Sequence, residues 1–199
     1  MPGPPLTVAV LCGGASRRMG TDKRDMTLEG QSLLDRAIAR ITPIAATVIL
    51  ASGHEPVARP WTLTVTDERD ARGPLAGIVA SLERSPHPLC AVVAADMPDI
   101  DPDLLRTLAS KCTGADAALP LSEHGIEPLH AVYARSALRT LRAAAASPDQ
   151  SVRSALLRLR VRYVDASALG ASPRFARNLN TPEDVRGWLS DRGADPPPR

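Results

Sequence analysis

Short runs of hydrophobic residues alternate along the chain with segments whose hydrophobic positions follow a helical spacing. The apolar runs predict strands over residues 6–12, 47–51, 63–66, 89–95, 115–119, 128–133 and, with an alternating pattern, 160–165. The helical spacing predicts helices over 32–41, 73–82, 101–111, about 134–146, 151–158 and from 181 onward. The run 6–12, in which Thr7 is the one polar residue, and the fully apolar run 89–95 are typical of strands buried on both faces of a sheet.

Two of these helices have a clear start. Asp101 and Thr181 each precede a proline, so each is predicted to be an N-cap followed by proline at the first helical position. Asp99 and Asp103, on either side of Asp101, are interpreted as turn and cap residues rather than as site residues.

Strands that alternate with helices over nearly the whole chain predict an α/β fold. We expect one Rossmann-like three-layer domain over residues 1–190, with a mostly parallel central sheet flanked by helices. Residues 191–199, which include three consecutive prolines, are expected to form a flexible C-terminal tail. Ligands of such sheets bind outside the carboxyl ends of the strands, so candidate chemistry is expected after residues 12, 66 and 95.

The composition limits the classes of function. The chain has 199 residues, with 24 basic and 22 acidic side chains and a formal charge of +2. This balance predicts no bulk attraction to nucleic acid or to a membrane surface, and the few, dispersed aromatics do not suit a single-strand nucleic-acid binder. Three cysteines without a CxxC pair indicate a reducing compartment. No apolar run approaches the ~18–20 residues of a membrane span, so we expect a cytoplasmic protein.

The densest candidate site follows the first predicted strand, where the sequence reads LCGGASRRMGTDK. Gly13 and Gly14 would let backbone N–H groups approach a ligand closely. Arg17, Arg18 and Lys23 add three cations, which suit a polyphosphate. The spacing matches neither the P-loop nor the dinucleotide-binding motif. A tight strand-to-loop turn with solvated arginines is the alternative interpretation.

Carboxylates follow two other predicted strands. Asp96 comes directly after the run LCAVVAA, and one carboxylate with substrate phosphates is a common arrangement for Mg²⁺. An Asp that caps the following turn is the alternative. Asp67 follows a shorter strand and precedes a segment from Gly73 to Gly77 that reads GPLAG and could offer helix N–H groups to an anion. The same pattern is also common at ordinary helix starts.

Polar residues in the second half of the chain complete the candidates. Asn178 and Asn180 would point the same way on extended backbone, toward a site or toward backbone groups that they satisfy. His130 lies close to Glu127 and Pro128 and could line a site, although packed or solvated histidines are commoner. The sequence has no HxH, HExxH or GxSxG motif, so metal-hydrolase and serine-hydrolase chemistry is not supported.

The sequence LCGGASRRMGTDK resembles the N-terminal signature of the sugar-nucleotide-pyrophosphorylase-like nucleotidyltransferases. Its form GG-x-S-R-R-M-G-x-D-K is most similar to that of the molybdenum cofactor guanylyltransferases. Asp67 and the segments GPLAGI, ADMP, EPLHAVY and NLNTPED follow in the same order as in that family, and the resemblance covers about residues 6–190. It implies a nucleotide-diphospho-sugar-transferase-like fold. Cys12 replaces a usual Ala, and the stretch LASGHEP has no match for a family Asn.

The resemblance also implies roles for the candidate residues. The nucleotide would be contacted by Leu11, Cys12, Gly13, Gly14, Lys23, Asp67, Gly73, Gly77 and Asp96. The molybdopterin acceptor would lie toward Glu127, Pro128, His130, Asn178 and Asn180. Asp96 would hold Mg²⁺, and the catalytic set would consist of Lys23, Asp96, Arg17 and Arg18.

The implied reaction is the transfer of GMP from GTP to the phosphate of molybdopterin, or of its molybdenum-loaded form, with release of pyrophosphate. Both reactants are anionic, so catalysis would consist of positioning and charge neutralisation without a covalent nucleophile. Proteins that deliver the cofactor or use the product are implied as partners. Three alternatives stay open: CTP as the nucleotide, another phosphorylated acceptor, and a non-catalytic nucleotide-binding or partner-binding protein. Gly13 and Gly14 favour GTP, because the cytidylyltransferases tend to read LAAG where this chain reads LCGG.

Overall fold

The computed structural model describes residues 5–13, 27–66 and 73–193. The predicted alternation of strands and helices is confirmed in these ranges. The strands are β1 Thr7–Leu11, β2 Thr27–Leu28, β3 Gln31–Ser32, β4 Thr47–Ala51, β5 Thr62–Val65, β6 Leu89–Ala94, β7 Ala117–Ser122, β8 Gly125–Ile126, β9 His130–Ala134 and β10 Val161–Asp165. The helices are α1 Leu33–Ile41, α2 Gly73–Arg84, α3 Pro102–Lys111, α4 Leu138–Ala145, α5 Val152–Leu156 and α6 Pro182–Gly193. Short 3₁₀ helices occupy Arg135–Ala137, Ser167–Leu169 and Pro173–Ala176.

The main sheet has the strand order β10-β7-β9-β6-β1-β4-β5, and β8 pairs with β7. β1 is parallel to β4 and β6, β4 is parallel to β5, and β10 is parallel to β7. β9 runs antiparallel to both of its neighbours. The short connection from β7 to β9 explains this reversal, because a parallel pair needs a crossover of about a dozen residues or more. The mostly parallel central sheet is therefore confirmed.

Hydrophobic residues cover both faces of the sheet. Val8 and Val10 of β1 belong to a cluster with α1 and α3, whereas Ala9 belongs to a cluster with α2, α4 and α5. β6 divides its residues between the same two clusters, which explains why both central strands are largely apolar on both faces. The three-layer arrangement follows from this two-sided burial.

A third, smaller hydrophobic cluster fastens α6 to the rest of the domain. It consists of Leu28, Leu33, Leu179 and Trp188. The predicted N-caps of α3 and α6 are confirmed: Asp101 Oδ1 accepts from Leu104 N at 2.9 Å, and Thr181 Oγ1 accepts from Asp184 N at 3.1 Å. α6 continues to Gly193, so the predicted boundary at residue 190 falls inside this helix.

Several local features differ from the predictions. The two-residue strands β2, β3 and β8 are not predicted, and the helix predicted over 134–146 begins as a 3₁₀ turn before α4. β7 ends at Ser122 instead of residue 119, because β8 and β10 provide backbone partners that the local sequence does not reveal. In the part of the chain that the structure describes, the helices lack the length and apolar character needed to cross a bilayer.

Candidate active site at the strand ends

The carboxyl ends of β4, β1 and β6 lie side by side in the sheet. Beyond β1, Cys12 N and Gly13 N both donate to Ala51 O of β4, at 2.9 and 3.0 Å. On the other side, Ala95 N donates to Leu11 O at 3.0 Å. The backbone after β1 is thus hydrogen-bonded to both neighbouring strand ends, which fixes its position beside any ligand bound there.

Gly13 is required by the close approach of two chain segments. A Cβ atom at this position would lie 2.4 Å from Gly53 N and 2.7 Å from Ser52 C. These neighbours are backbone atoms that no side-chain rotation can move away. Gly13 is exposed on its other side, so the turn offers bare backbone to solvent at the end of β1. The close approach that requires Gly13 is thus one between two segments of the protein, and a close approach of its backbone to a ligand stays a prediction.

The first turns of α2 lie against the same strand ends. A Cβ at Gly77 would be 3.1 Å from Leu11 Cδ2 and 3.4 Å from Ala51 Cβ, so this small residue lets the helix pack closely on β1 and β4. Gly77 is buried, whereas Gly73 is exposed and adopts a positive φ of 75° at the helix start. The N-terminus of α2, with its positive dipole end, is directed to this edge of the sheet.

Asp96 follows the central strand β6 and is half-buried. Its backbone carbonyl accepts a hydrogen bond from Leu179 N at 2.9 Å. Leu179 is fully buried, and the flanking Asn178 and Asn180 are half-buried and exposed, respectively. Two site segments that are more than 80 residues apart in the chain are thereby brought together.

The two asparagines already have local partners. Asn178 Nδ2 donates to Ala176 O at 3.2 Å, and Asn180 N donates to Asp184 Oδ2 at 2.8 Å. The second bond fixes the backbone just before α6 and leaves the side chain of Asn180 in an exposed position. The structure thus favours an ordered NLN segment beside Asp96, and contact with an acceptor stays a prediction.

The predicted acceptor segment around Glu127 also lies beside the end of β6, because Ala94 N donates to Leu129 O at 3.1 Å. Ser122 Oγ donates to Glu127 Oε1 at 3.0 Å, and Tyr133 Oη donates to Pro128 O at 2.9 Å. Burial raises the pKa of Glu127 above its ordinary value, and the bond from Ser122 opposes this shift.

His130 has a different placement from the other acceptor candidates. Its side chain is fully buried, its ring meets that of Phe175 edge-on with 4.9 Å between centroids, and its Nε2 accepts from Asp101 N at 3.1 Å. Burial lowers the pKa of His130 to about 4. Because Nε2 accepts a backbone N–H, the neutral ring carries its proton on Nδ1. This arrangement gives His130 a role in holding the start of α3, and direct contact with an acceptor stays a prediction.

Sequence reasoning missed the residues that anchor the loop after β6. Asp99 lies in the expected turn, but its Oδ2 also accepts from Trp188 Nε1 at 2.6 Å and its Oδ1 lies 3.4 Å from Arg40 Nη2. The guanidinium of Arg36 lies 4.9 Å from the centre of the Trp188 ring. These partners are distant in sequence, so no local pattern could have identified them.

Some of the predicted site residues lie outside the described residues: Gly14, Arg17, Arg18, Lys23 and Asp67. Within the described ranges, no group of three His, Cys, Asp or Glu side chains could enclose a metal ion. Asp96 nevertheless offers the type of hard oxygen donor that suits Mg²⁺, which is commonly held by one or two carboxylates together with substrate phosphates and water. The donor chemistry at this strand end therefore fits Mg²⁺ bound together with a nucleotide.

Comparison with known proteins agrees with this architecture. The model of the MobA-like NTP transferase domain matches residues 8–163. The chain is 36% identical over 190 residues to a probable molybdenum cofactor guanylyltransferase of Chloroflexus aggregans, covering 89% of this chain and 90% of that protein. It is 32% identical over 183 residues to a probable molybdenum cofactor guanylyltransferase of Pelotomaculum thermopropionicum, covering 90% and 89%.

A solved structure shares the fold along the whole domain. The crystal structure of molybdopterin-guanine dinucleotide biosynthesis protein A from Archaeoglobus fulgidus is 28% identical, covers 95% of this chain and 100% of its own, and superposes with a TM-score of 0.81. The resemblance stated from the glycine-rich motif and the predicted fold class are both confirmed. Because the family model spans well over half of its length, the chain belongs to the MobA-like NTP transferase domain family.

Proposed function

We propose that this chain transfers GMP from GTP to the phosphate of molybdopterin, or of its molybdenum-loaded form, and releases pyrophosphate. The observation that carries the proposal is the placement of Asp96 after β6, next to the bare glycine turn that follows β1. A carboxylate beside exposed backbone suits a nucleotide bound with Mg²⁺. The names of relatives that align with about nine-tenths of the chain support a guanine nucleotide and a molybdopterin acceptor.

The nucleotide side of the proposed site is built largely on backbone. Gly13 is exposed at the end of β1, and a side chain at this position would overlap the backbone of Gly53. The N-terminus of α2 adds a positive dipole end near the same place, which favours a bound anion. On the resemblance alone, further nucleotide and phosphate contacts are assigned to Gly14, Arg17, Arg18, Lys23 and Asp67.

The proposed step is an in-line displacement at the α-phosphorus of GTP. An oxygen of the acceptor phosphate forms a bond to this phosphorus, the bond to the bridging oxygen of the β-phosphate breaks, and pyrophosphate leaves with that electron pair. The acceptor phosphate is largely deprotonated near neutral pH, so no side chain has to act as nucleophile or remove a proton.

The contribution of the chain to this step is to orient two anions and to offset their repulsion. Asp96 would hold Mg²⁺, which when bound supplies positive charge next to the phosphates. Lys23, with Arg17 and Arg18, would add counter-charge. The rate enhancement would then arise from positioning and electrostatic stabilisation.

We place the acceptor where two segments meet the end of β6. Leu179 N is bonded to Asp96 O, and Leu129 O accepts from Ala94 N, so both segments lie beside the strand end where we propose that the phosphates react. Acceptor contacts are assigned, as predictions, to Glu127, Pro128, His130, Asn178 and Asn180. Proteins that deliver the cofactor or use the product are predicted as partners by the same resemblance, and a cytoplasmic location stays a prediction from the cysteines and the short apolar runs.

The test is incubation of the full chain with Mg²⁺, molybdopterin and each of GTP, CTP, ATP and UTP in turn, with pyrophosphate release as the readout. We expect release with GTP that depends on both molybdopterin and the metal. Faster release with CTP would replace the guanylyltransferase proposal with a cytidylyltransferase. GTP binding without release in the presence of molybdopterin would indicate another acceptor or a non-catalytic protein, and would contradict the proposal.

A further inference from the structure

The loop between β6 and α3, residues 95–101, is held by groups from other parts of the chain. Its side chains Met97 and Ile100 are buried in the core. Asp101 N at its end donates to the buried ring of His130, and Arg36 Nε of α1 lies 3.4 Å from Pro98 O. The loop that carries the proposed metal ligand is therefore built as a fixed element.

Asp99 is the centre of the side-chain contacts to this loop. Its side chain is only 15% exposed, and its two oxygens face different partners: Oδ2 accepts from Trp188 Nε1 at 2.6 Å, and Oδ1 lies 3.4 Å from Arg40 Nη2, within ion-pair range. A hydrogen bond to an ionised carboxylate is shorter and stronger than one between neutral groups. Asp99 thus joins α6 to α1 through the loop.

Trp188 presents its polar edge to Asp99 and its apolar surface to a hydrophobic cluster. It is 1% exposed and packs with Leu28, Leu33 and Leu179, while the guanidinium of Arg36 lies 4.9 Å from the centre of its ring. A buried indole N–H that loses its acceptor carries a desolvation cost. The Trp188–Asp99 bond therefore adds a directional contact to the hydrophobic packing of this cluster.

The segment that leads into α6 meets the loop at two points. Leu179 N bonds to Asp96 O at 2.9 Å, and Trp188, nine residues later, bonds to Asp99. Leu179 is also held by its burial, and the bond of Trp188, three residues further along the loop, adds a second directional contact between the two segments. Asn178 and Asn180, the assigned acceptor contacts, lie on either side of the first point.

We propose that Asp99 and Trp188 are positioning residues, whose hydrogen bond fixes the acceptor-side segment at Asn178 and Asn180 relative to Asp96. This inference rests on the proposed function. It matters for the reaction because the two phosphates must meet in line, and misplacement by about 1 Å can lower the rate by roughly 10²-fold. Neither residue has to touch GTP or the acceptor.

The kinetic test compares Trp188→Phe with Trp61→Phe, a matched substitution at a residue that is 98% exposed. Phenylalanine keeps the aromatic packing and removes the N–H donor. We expect Trp188→Phe to lower kcat about tenfold with little change in the KM for GTP, and Trp61→Phe to match the wild type. An unchanged kcat in Trp188→Phe would overturn the proposal.

Variants of Asp99 separate positioning from a general loss of stability. Asp99→Ala removes the acceptor of the Trp188 bond, whereas Asp99→Asn keeps an oxygen at the same place and should restore most of the kcat that Asp99→Ala loses. In the Trp188→Phe, Asp99→Ala double variant, the effect of the second substitution should largely disappear, because both single changes break the same bond. Fully additive effects on kcat would contradict the proposal.

A spectroscopic readout separates this inference from the proposed function. The chain has two tryptophans, so a ¹⁵N-labelled sample gives two indole N–H signals. The Trp188 signal should shift in Asp99→Ala and also when Mg²⁺ and GTP are added to the wild-type chain without acceptor. If the Trp188 signal responds to both changes but the wild type releases no pyrophosphate with molybdopterin, the link between the Trp188–Asp99 bond and the nucleotide site stands and the proposed reaction is wrong. If the wild type is active and the signal responds to neither change, the positioning role is wrong.

Discussion

Replacement of Gly13 by alanine tests the packing on which the nucleotide side depends. The added Cβ would lie 2.4 Å from Gly53 N, whereas an ordinary contact begins at 3.4 Å. Relief of this overlap requires the two strand-end turns to separate by about 1 Å. The turn after β1 donates two hydrogen bonds to Ala51 O at 2.9 and 3.0 Å, and these bonds would lengthen or break.

The size of the effect follows from the nature of the neighbours. Overpacking of a well-packed site costs about 1–3 kcal/mol, and we expect the upper half of this range because backbone atoms cannot rotate away. For a chain of this length each kcal/mol corresponds to roughly 2–4 °C in Tm, so Gly13→Ala should melt about 4–12 °C below the wild type. The same displacement moves the backbone offered to the nucleotide, and we expect pyrophosphate release to fall by roughly 10²-fold.

The assay is urea and thermal unfolding of the variant, followed by pyrophosphate release at a temperature where the variant is folded. Gly187→Ala in α6 is the matched control, because its Cβ would meet only Arg177 Nη2, at 3.1 Å, the end of a flexible side chain. Alanine within a helix should stabilise that variant by up to about 1 kcal/mol. A Gly13→Ala variant with the Tm of the wild type would refute the close approach of the two turns.

Two further predictions concern the start of α3. Asp101→Ala should lower the free energy of unfolding in urea by about 1 kcal/mol through loss of the N-cap. Asp103→Ala, at a side chain that is 87% exposed, is the control and should not lower the free energy of unfolding. An equal loss in both variants would contradict the assignment of Asp101 as the cap. Because burial lowers the pKa of His130 from 6.5 to about 4, the unfolded chain binds the proton first, so stability should fall by up to about 3 kcal/mol from pH 6.5 to 4. His130→Gln should remove this loss of stability from the pH dependence of urea unfolding. His124→Gln, at a side chain that is 73% exposed, should show the same loss of stability as the wild type. The same pH dependence in both variants would count against the buried neutral ring of His130.

The local sequence predicted the elements whose causes are local. The start of α3 follows from Asp101 and the proline after it, and the central strand β6 follows from an uninterrupted apolar run. The reversed direction of β9 and the short strands β2, β3 and β8 depend on pairing between segments. A two-residue strand has no periodicity of its own, so its position could only be obtained from the folded chain.

The candidate site likewise combines residues that the local sequence predicts with contacts between segments that are distant in sequence. Asp96 was predicted because a charged residue directly follows an apolar strand, and the structure places it at the expected sheet edge. The constraint on Gly13 comes from Gly53, and the anchor of Asp99 comes from Trp188, 89 residues away in sequence. Neither partner carries a motif, so these contacts could not be predicted from one sequence.

The most direct test of the central claim follows a label on the α-phosphate of GTP in the presence of Mg²⁺ and molybdopterin. For the wild type, the label should appear in a molybdopterin–guanine dinucleotide, at a rate equal to that of pyrophosphate release. Asp96→Asn should lower this transfer by roughly 10²–10³-fold without a change in Tm, and Lys23→Ala should behave likewise, while Asp103→Asn should match the wild type. Label transfer at the wild-type rate in Asp96→Asn would contradict the account.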